Sequence, residues 1–195
     1  MITEHDKVTI PEIKMLLTNV PYNIKYTSNF KENATLILGS QGMFTSHSND
    51  KSALNELIPN ANSNDLGMYS LLQFSKNNFE TQIGFRYDHR SIETEEDILN
   101  KEFKKLNSSF GVVFSKKKHT IRGNFSSGFR PPHLSELLSD GVHHGTNRYE
   151  IGNTELDSEF ANQFDLSYDY STDHLKFNIN PFINLFNNYI YVEPI

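Results

Sequence analysis

Along much of the chain, apolar and polar residues alternate one for one. From Phe79 to Asp88, Phe79, Thr81, Ile83, Phe85 and Tyr87 fall on one side, with Glu80, Gln82, Gly84, Arg86 and Asp88 on the other. Phe160 to Tyr170 repeats the pattern: Phe160, Phe164, Leu166, Tyr168 and Tyr170 oppose Gln163, Asp165, Ser167 and Asp169. A helix would scatter both sets around its circumference, whereas a strand sends successive side chains to opposite faces. The same alternation runs from Leu106 to Phe114, through Ile121 and Phe125, and from Leu175 to Leu185. With Leu66–Phe74, Ala34–Phe44 and a stretch from Ile10 to Tyr26, it predicts about eight strands. Pro21 should mark a bulge or bend in the first, because proline removes a ladder donor.

The connections are unequal in an ordered way. Short polar turns follow every other strand: Phe30–Asn33, Ser75–Asn78, Ser115–Lys118 and Ser171–His174. Between them lie longer stretches, Thr45–Asp65, Ser91–Phe103 and Gly128–Glu159. Short and long connections in turn are the mark of an up-and-down barrel with one edge toward the periplasm and the other outside. The expected fold is therefore all-β: an antiparallel, up-and-down transmembrane β-barrel fragment occupying residues 1–195. A complete small barrel acting as an anchor or adhesin, and a soluble β-rich binding module, share the same pattern.

Composition fits one apolar face. Hydrophobic residues make up 36% of the chain and aromatic residues 12%, a low apolar total with a heavy aromatic share. In a membrane barrel only every second side chain of a strand meets lipid. No run approaches the roughly 20 apolar residues of a membrane-spanning helix. The net charge of −6, without a large basic cluster, offers nothing to nucleic acid. With no cysteine there is neither a disulfide nor a thiolate metal site. Residues 1–7 do not form a secretory signal, so an exported chain of this kind is expected to have lost its beginning.

The stretch from Ser126 to Glu159 is the most informative. Gly128-Phe129-Arg130-Pro131-Pro132 ends a strand, because neither proline supplies an amide donor and Gly128 permits a bend. Leu134-Ser135-Glu136-Leu137 then suits a short helix, and Gly152-Asn153, Leu156 and Glu159 lead into the next strand. This combination resembles the barrel of TonB-dependent receptors, and Gly84-Phe85-Arg86-Tyr87-Asp88 is similar to another recurrent strand of that family. The resemblance implies a Gram-negative outer-membrane barrel of about 22 strands, of which this chain is a part, with a plug domain in its lumen. It also implies import of a scarce nutrient such as a metal ion or metal chelate. The implied partners are outer-membrane lipid, the TonB energy-transducing complex reached through the plug, and a small nutrient ligand.

His133, His143 and His144 lie close in sequence, near Glu136, Asp140 and Glu150. Imidazole and carboxylate suit zinc and related cations, so His133, His143, His144 and Glu136 are the candidate metal-ligating residues. The His-His-Gly form is similar to family receptors implicated in zinc or haem uptake. Ordinary loop residues are the alternative, since the spacing matches no compact ligand motif. Zinc, an iron chelate or haem would be cargo, and no resident cofactor is expected. No enzyme is expected either, as Gly-x-Ser-x-Gly is lacking and the segment from Gly111 to Gly123 makes no phosphate loop.

Overall fold

The computed structural model describes residues 2–5, 10–95, 98–143 and 148–194. Its strands are β1 (Ile2–His5), β2 (Pro11–Asn29), β3 (Ala34–Asn49), β4 (Ala61–Lys76), β5 (Phe79–Thr94), β6 (Asn100–Lys116) and β7 (His119–Arg130). A five-residue helix α1 (Leu134–Leu138) and a hairpin of β8 (Asp140–His143) and β9 (Arg148–Ile151) follow, then β10 (Glu159–Ser171), β11 (Lys176–Ile179) and β12 (Phe182–Asn187). Every pairing is antiparallel, and the strands of the main sheet neighbour one another in chain order. β11 and β12 form one strand interrupted at Asn180 and Pro181: both pair with β10 in the same register, and Leu166 N donates to Pro181 O at 3.0 Å.

Register sorts the side chains. Leu36, Leu72, Ile83, Phe110, Phe125, Phe164 and Ile183 lie directly opposite one another across seven strands, forming an unbroken apolar row. Among the described residues nothing covers it: Phe110 and Phe164 are 46% exposed and Ile183 53%. On the reverse face, Thr35, Gln73, Gln82, Gly111, Asn124 and Asp165 form the matching row. Phe85 and Arg86 thus stand on opposite faces, as the alternation predicts.

Three expectations are corrected. The connection placed at Ser91–Phe103 shrinks to 95–99, and that at Thr45–Asp65 to 50–60, because the strands run on. In those extensions the apolar face turns polar, through the cross-strand row Ser46, Asn62, Glu93 and Asn100 and its neighbours Asn64, Ser91 and Glu102. The hydrophobic period ends where the apolar surroundings would end, while the backbone ladder continues. Pro21, expected at a bulge, sits in an unshifted register opposite Met43. Beyond Met15 the other side of β2 has no partner strand among the described residues, and an edge tolerates the missing donor.

The buried apolar cluster lies at the long-loop edge of the sheet rather than between layers. Ile92 (1% exposed) and Phe103 of the sheet meet Leu137 (0%) and Leu138 of α1, with Ile58, Leu99, Phe129, Leu134 and Leu156 around them.

Candidate functional site

The polar face holds a hydrogen-bonded network in its long-loop half. Arg90 grips Asp65 bidentately, Nε to Oδ1 at 2.5 Å and Nη2 to Oδ2 at 2.8 Å. Arg86 Nε donates to Asp88 Oδ1 at 2.7 Å, and Asp88 Oδ2 accepts from Asn107 Nδ2 at 2.9 Å. With its amide oxygen turned toward Arg86, Gln41 accepts from both terminal nitrogens at 3.1 and 3.2 Å. The Arg86 guanidinium also lies 6.0 Å from the Tyr69 ring centre. Two glycines make room: a Cβ on Gly67 would collide with Arg86, and one on Gly39 with the Tyr69 ring. Gln41, Asp65, Arg86, Asp88, Arg90 and Asn107 line a groove of about 800 Å³ that continues to Ser127 and Phe129. Nearer the short turns, Arg122 and Asn178 both bond Asp169, and Gln73 Nε2 donates to Gln82 Oε1 at 3.1 Å.

Above the groove the long connections fold into a cap. Glu136 Oε2 accepts from the His133 backbone N–H at 2.7 Å, closing the first turn of α1. Arg130 Nη1 bonds the same carboxylate at 2.9 and 3.0 Å, while its Nε holds Glu159 at 2.6 Å. Lys101 Nζ donates to the carbonyls of Thr154 and Leu156 at 2.7 and 2.9 Å. Asp140 N reaches Leu57 O at 3.1 Å, joining this connection to the one at 50–60. That second connection is tied to β2 by the Lys14–Asp50 pair at 2.7 Å. Lys14 and the two Ser52 donors hold the Asp50 carboxyl well below the usual carboxylate range. In the β8–β9 hairpin, a hydrogen bond to Asp140 pushes the Tyr149 phenol up from its ordinary value.

The four candidate metal residues end up in different settings. Glu136 is engaged by Arg130 and the α1 amide; His133 is exposed at the head of the helix. His143 ends β8 opposite Arg148, and His144 lies outside the described residues. Among the described residues, no group of three or more His, Cys, Asp or Glu side chains is placed to hold a metal ion. The network of Gln41, Tyr69, Asp65, Arg90 and Asn107 has no linear motif in the sequence. Its signal is a mid-strand glycine facing a large polar or aromatic residue on the next strand, and it emerges only once register is known.

An antiparallel sheet in strict chain order, bare and apolar on one face and cross-linked by ions on the other, defines a segment of a transmembrane β-barrel wall. No helix among the described residues is long and apolar enough to cross a membrane. The chain belongs to the TonB-dependent receptor-like β-barrel family, whose family model matches residues 16–195. It is therefore a Gram-negative outer-membrane protein. Among solved structures it is similar to the FrpB iron transporter of Neisseria meningitidis (F3-3 variant), with a TM-score of 0.69 and 16% identity over 90% of this chain and 29% of that one. A double mutant of the Serratia marcescens hemophore receptor HasR, in complex with its hemophore HasA and heme, gives a TM-score of 0.72 and 14% identity over 92% and 35%. The copper transporter OprC gives 0.71 and 13% over 94% and 32%. The chain thus spans about a third of the length of these structures.

Proposed function

We propose that this chain is part of the wall of a receptor that imports a scarce nutrient, a metal ion or metal chelate such as zinc, an iron chelate or haem. The observation that carries the reading is the ion-paired network of Asp65, Arg86, Asp88 and Arg90 on the face opposite the apolar row. Charged groups placed there need water or a polar plug beside them, which is the setting of a barrel lumen. The iron, heme and copper named for the similar structures favour the metal class of cargo. The remaining partners of this reading are a plug domain within the lumen and the TonB complex that draws on it.

The test is uptake of labelled iron chelates, haem and zinc by cells in which the full-length receptor has been deleted. Loss of one cargo, restored only when both the receptor and TonB are present, is expected. Unchanged uptake of the whole panel overturns the proposal. Zinc-limited growth of the His133→Ala/His143→Ala/His144→Ala variant tests the zinc branch separately, and unchanged growth assigns those histidines to loop structure.

A further inference from the structure

The short-turn edge carries a charge opposite to that of the chain. At and beside its turns stand Lys31, Lys76, Lys116, Lys117, Lys118 and Lys176, against Glu32, Glu80 and Asp173, in a chain whose net charge is −6. None of these lysines makes an ion pair among the described residues, whereas Lys14 and Lys104, beyond the apolar row toward the long loops, are both paired. Register sets two of them on the lipid-facing side among aromatic rings. Lys76 heads a cross-strand row that runs through Phe79, Phe114, Ile121, Tyr168 and Ile179. Lys116 heads a second row through His119, Tyr170 and Phe177. The rings interlock: Phe79 and Phe114 lie 4.7 Å apart, His119 and Tyr170 5.0 Å, and His119 Nδ1 shares a 2.8 Å hydrogen bond with the Tyr168 hydroxyl.

We infer that this edge is a binding surface for anionic phospholipid headgroups of the periplasmic leaflet. In barrels of this class the short turns lie on the periplasmic side. Aromatic rings of this kind sit at headgroup depth. Lysine stems at the same level lie along apolar surface and lift their ammonium groups into the phosphate layer. An ammonium with no protein partner keeps its donors for a phosphate oxygen. The outward-facing positions of Lys76 and Lys116 distinguish a lipid from a periplasmic polymer, which would meet the turn tips alone.

The test uses the full-length receptor, stripped of lipid in detergent and titrated with dioctanoyl phosphatidylglycerol or dioctanoyl phosphatidylcholine. Wild type is expected to bind the anionic phosphatidylglycerol more tightly, with the preference shrinking in high salt. The Lys76→Gln/Lys116→Gln/Lys117→Gln variant should lose about fivefold in that preference for each lysine that meets the headgroup layer, as one basic residue at an anionic surface contributes. Lys51→Gln, on a long connection, should leave it unchanged. Heat-modified gel mobility checks that each variant is folded. Equal affinity for the two lipids, a preference unaltered in the triple variant, or tighter binding of lipopolysaccharide or soluble cell-wall fragments than of phosphatidylglycerol overturns the inference.

Discussion

Phe164 and Ser167 show how differently the two faces weigh a substitution. Phe164 packs on Phe125 with ring centres 4.9 Å apart on the lipid-facing row, so Phe164→Arg should cost about 2–4 kcal/mol in a membrane-inserted receptor. Ser167 faces Arg122 and Asp169 on the polar side. Ser167→Ala should cost only about 1 kcal/mol, the worth of an ordinary hydrogen bond. Chemical unfolding of the full-length receptor in phospholipid vesicles compares the two, and equal losses would contradict the assignment of faces. Lys117 holds φ at 56°, a conformation that favours glycine. Lys117→Gly should therefore raise stability by about 0.5–1 kcal/mol in the same assay, relieving the left-handed Cβ clash.

The elements differ in how plainly the sequence announces them. β5 and β10 are legible because one face of each meets apolar surroundings, and α1 because Pro131 and Pro132 precede a Leu-rich turn. The ends of β3, β4, β5 and β6 are not legible, since Asn62, Ser91 and Glu102 continue the ladder without an apolar period. The candidate metal residues share metal-binding residue types, yet Glu136 is bonded by Arg130, a partner six positions earlier whose reach depends on the loop's fold. Two changes test the cap as a unit. Arg130→Leu removes the bonds to Glu136 and Glu159, and at a half-exposed site should loosen the cap by about 1–2 kcal/mol. Gly152→Ala would set a Cβ 2.5 Å from the Leu137 carbonyl carbon and the Leu138 nitrogen, pushing α1 off its seat. Hydrogen exchange of the full-length receptor should show both changes as faster exchange confined to α1 and 150–158, with the strands unaffected.

At the scale of the whole molecule, the described residues hold no buried layer between two faces behind the apolar row, and their outermost strands have no further strand partner among them. Such edges are costly in lipid and adhesive in water. Expressed alone, residues 1–195 should form aggregates in plain buffer and dissolve only in detergent; a monodisperse, detergent-free monomer by light scattering would contradict the exposed row. The short turns carry one more feature. Ser75 N donates to Asn33 O at 2.9 Å, Ser115 N to Asn78 O at 2.9 Å, and Ser171 N to Lys118 O at 2.9 Å. Each completed hairpin thus offers the next a backbone acceptor at the same relative place, and the slant of the wall is copied from step to step by main-chain atoms alone. Because main-chain atoms set that step, a change of charge in the turn side chains should leave the pitch of the staircase they stand on unchanged.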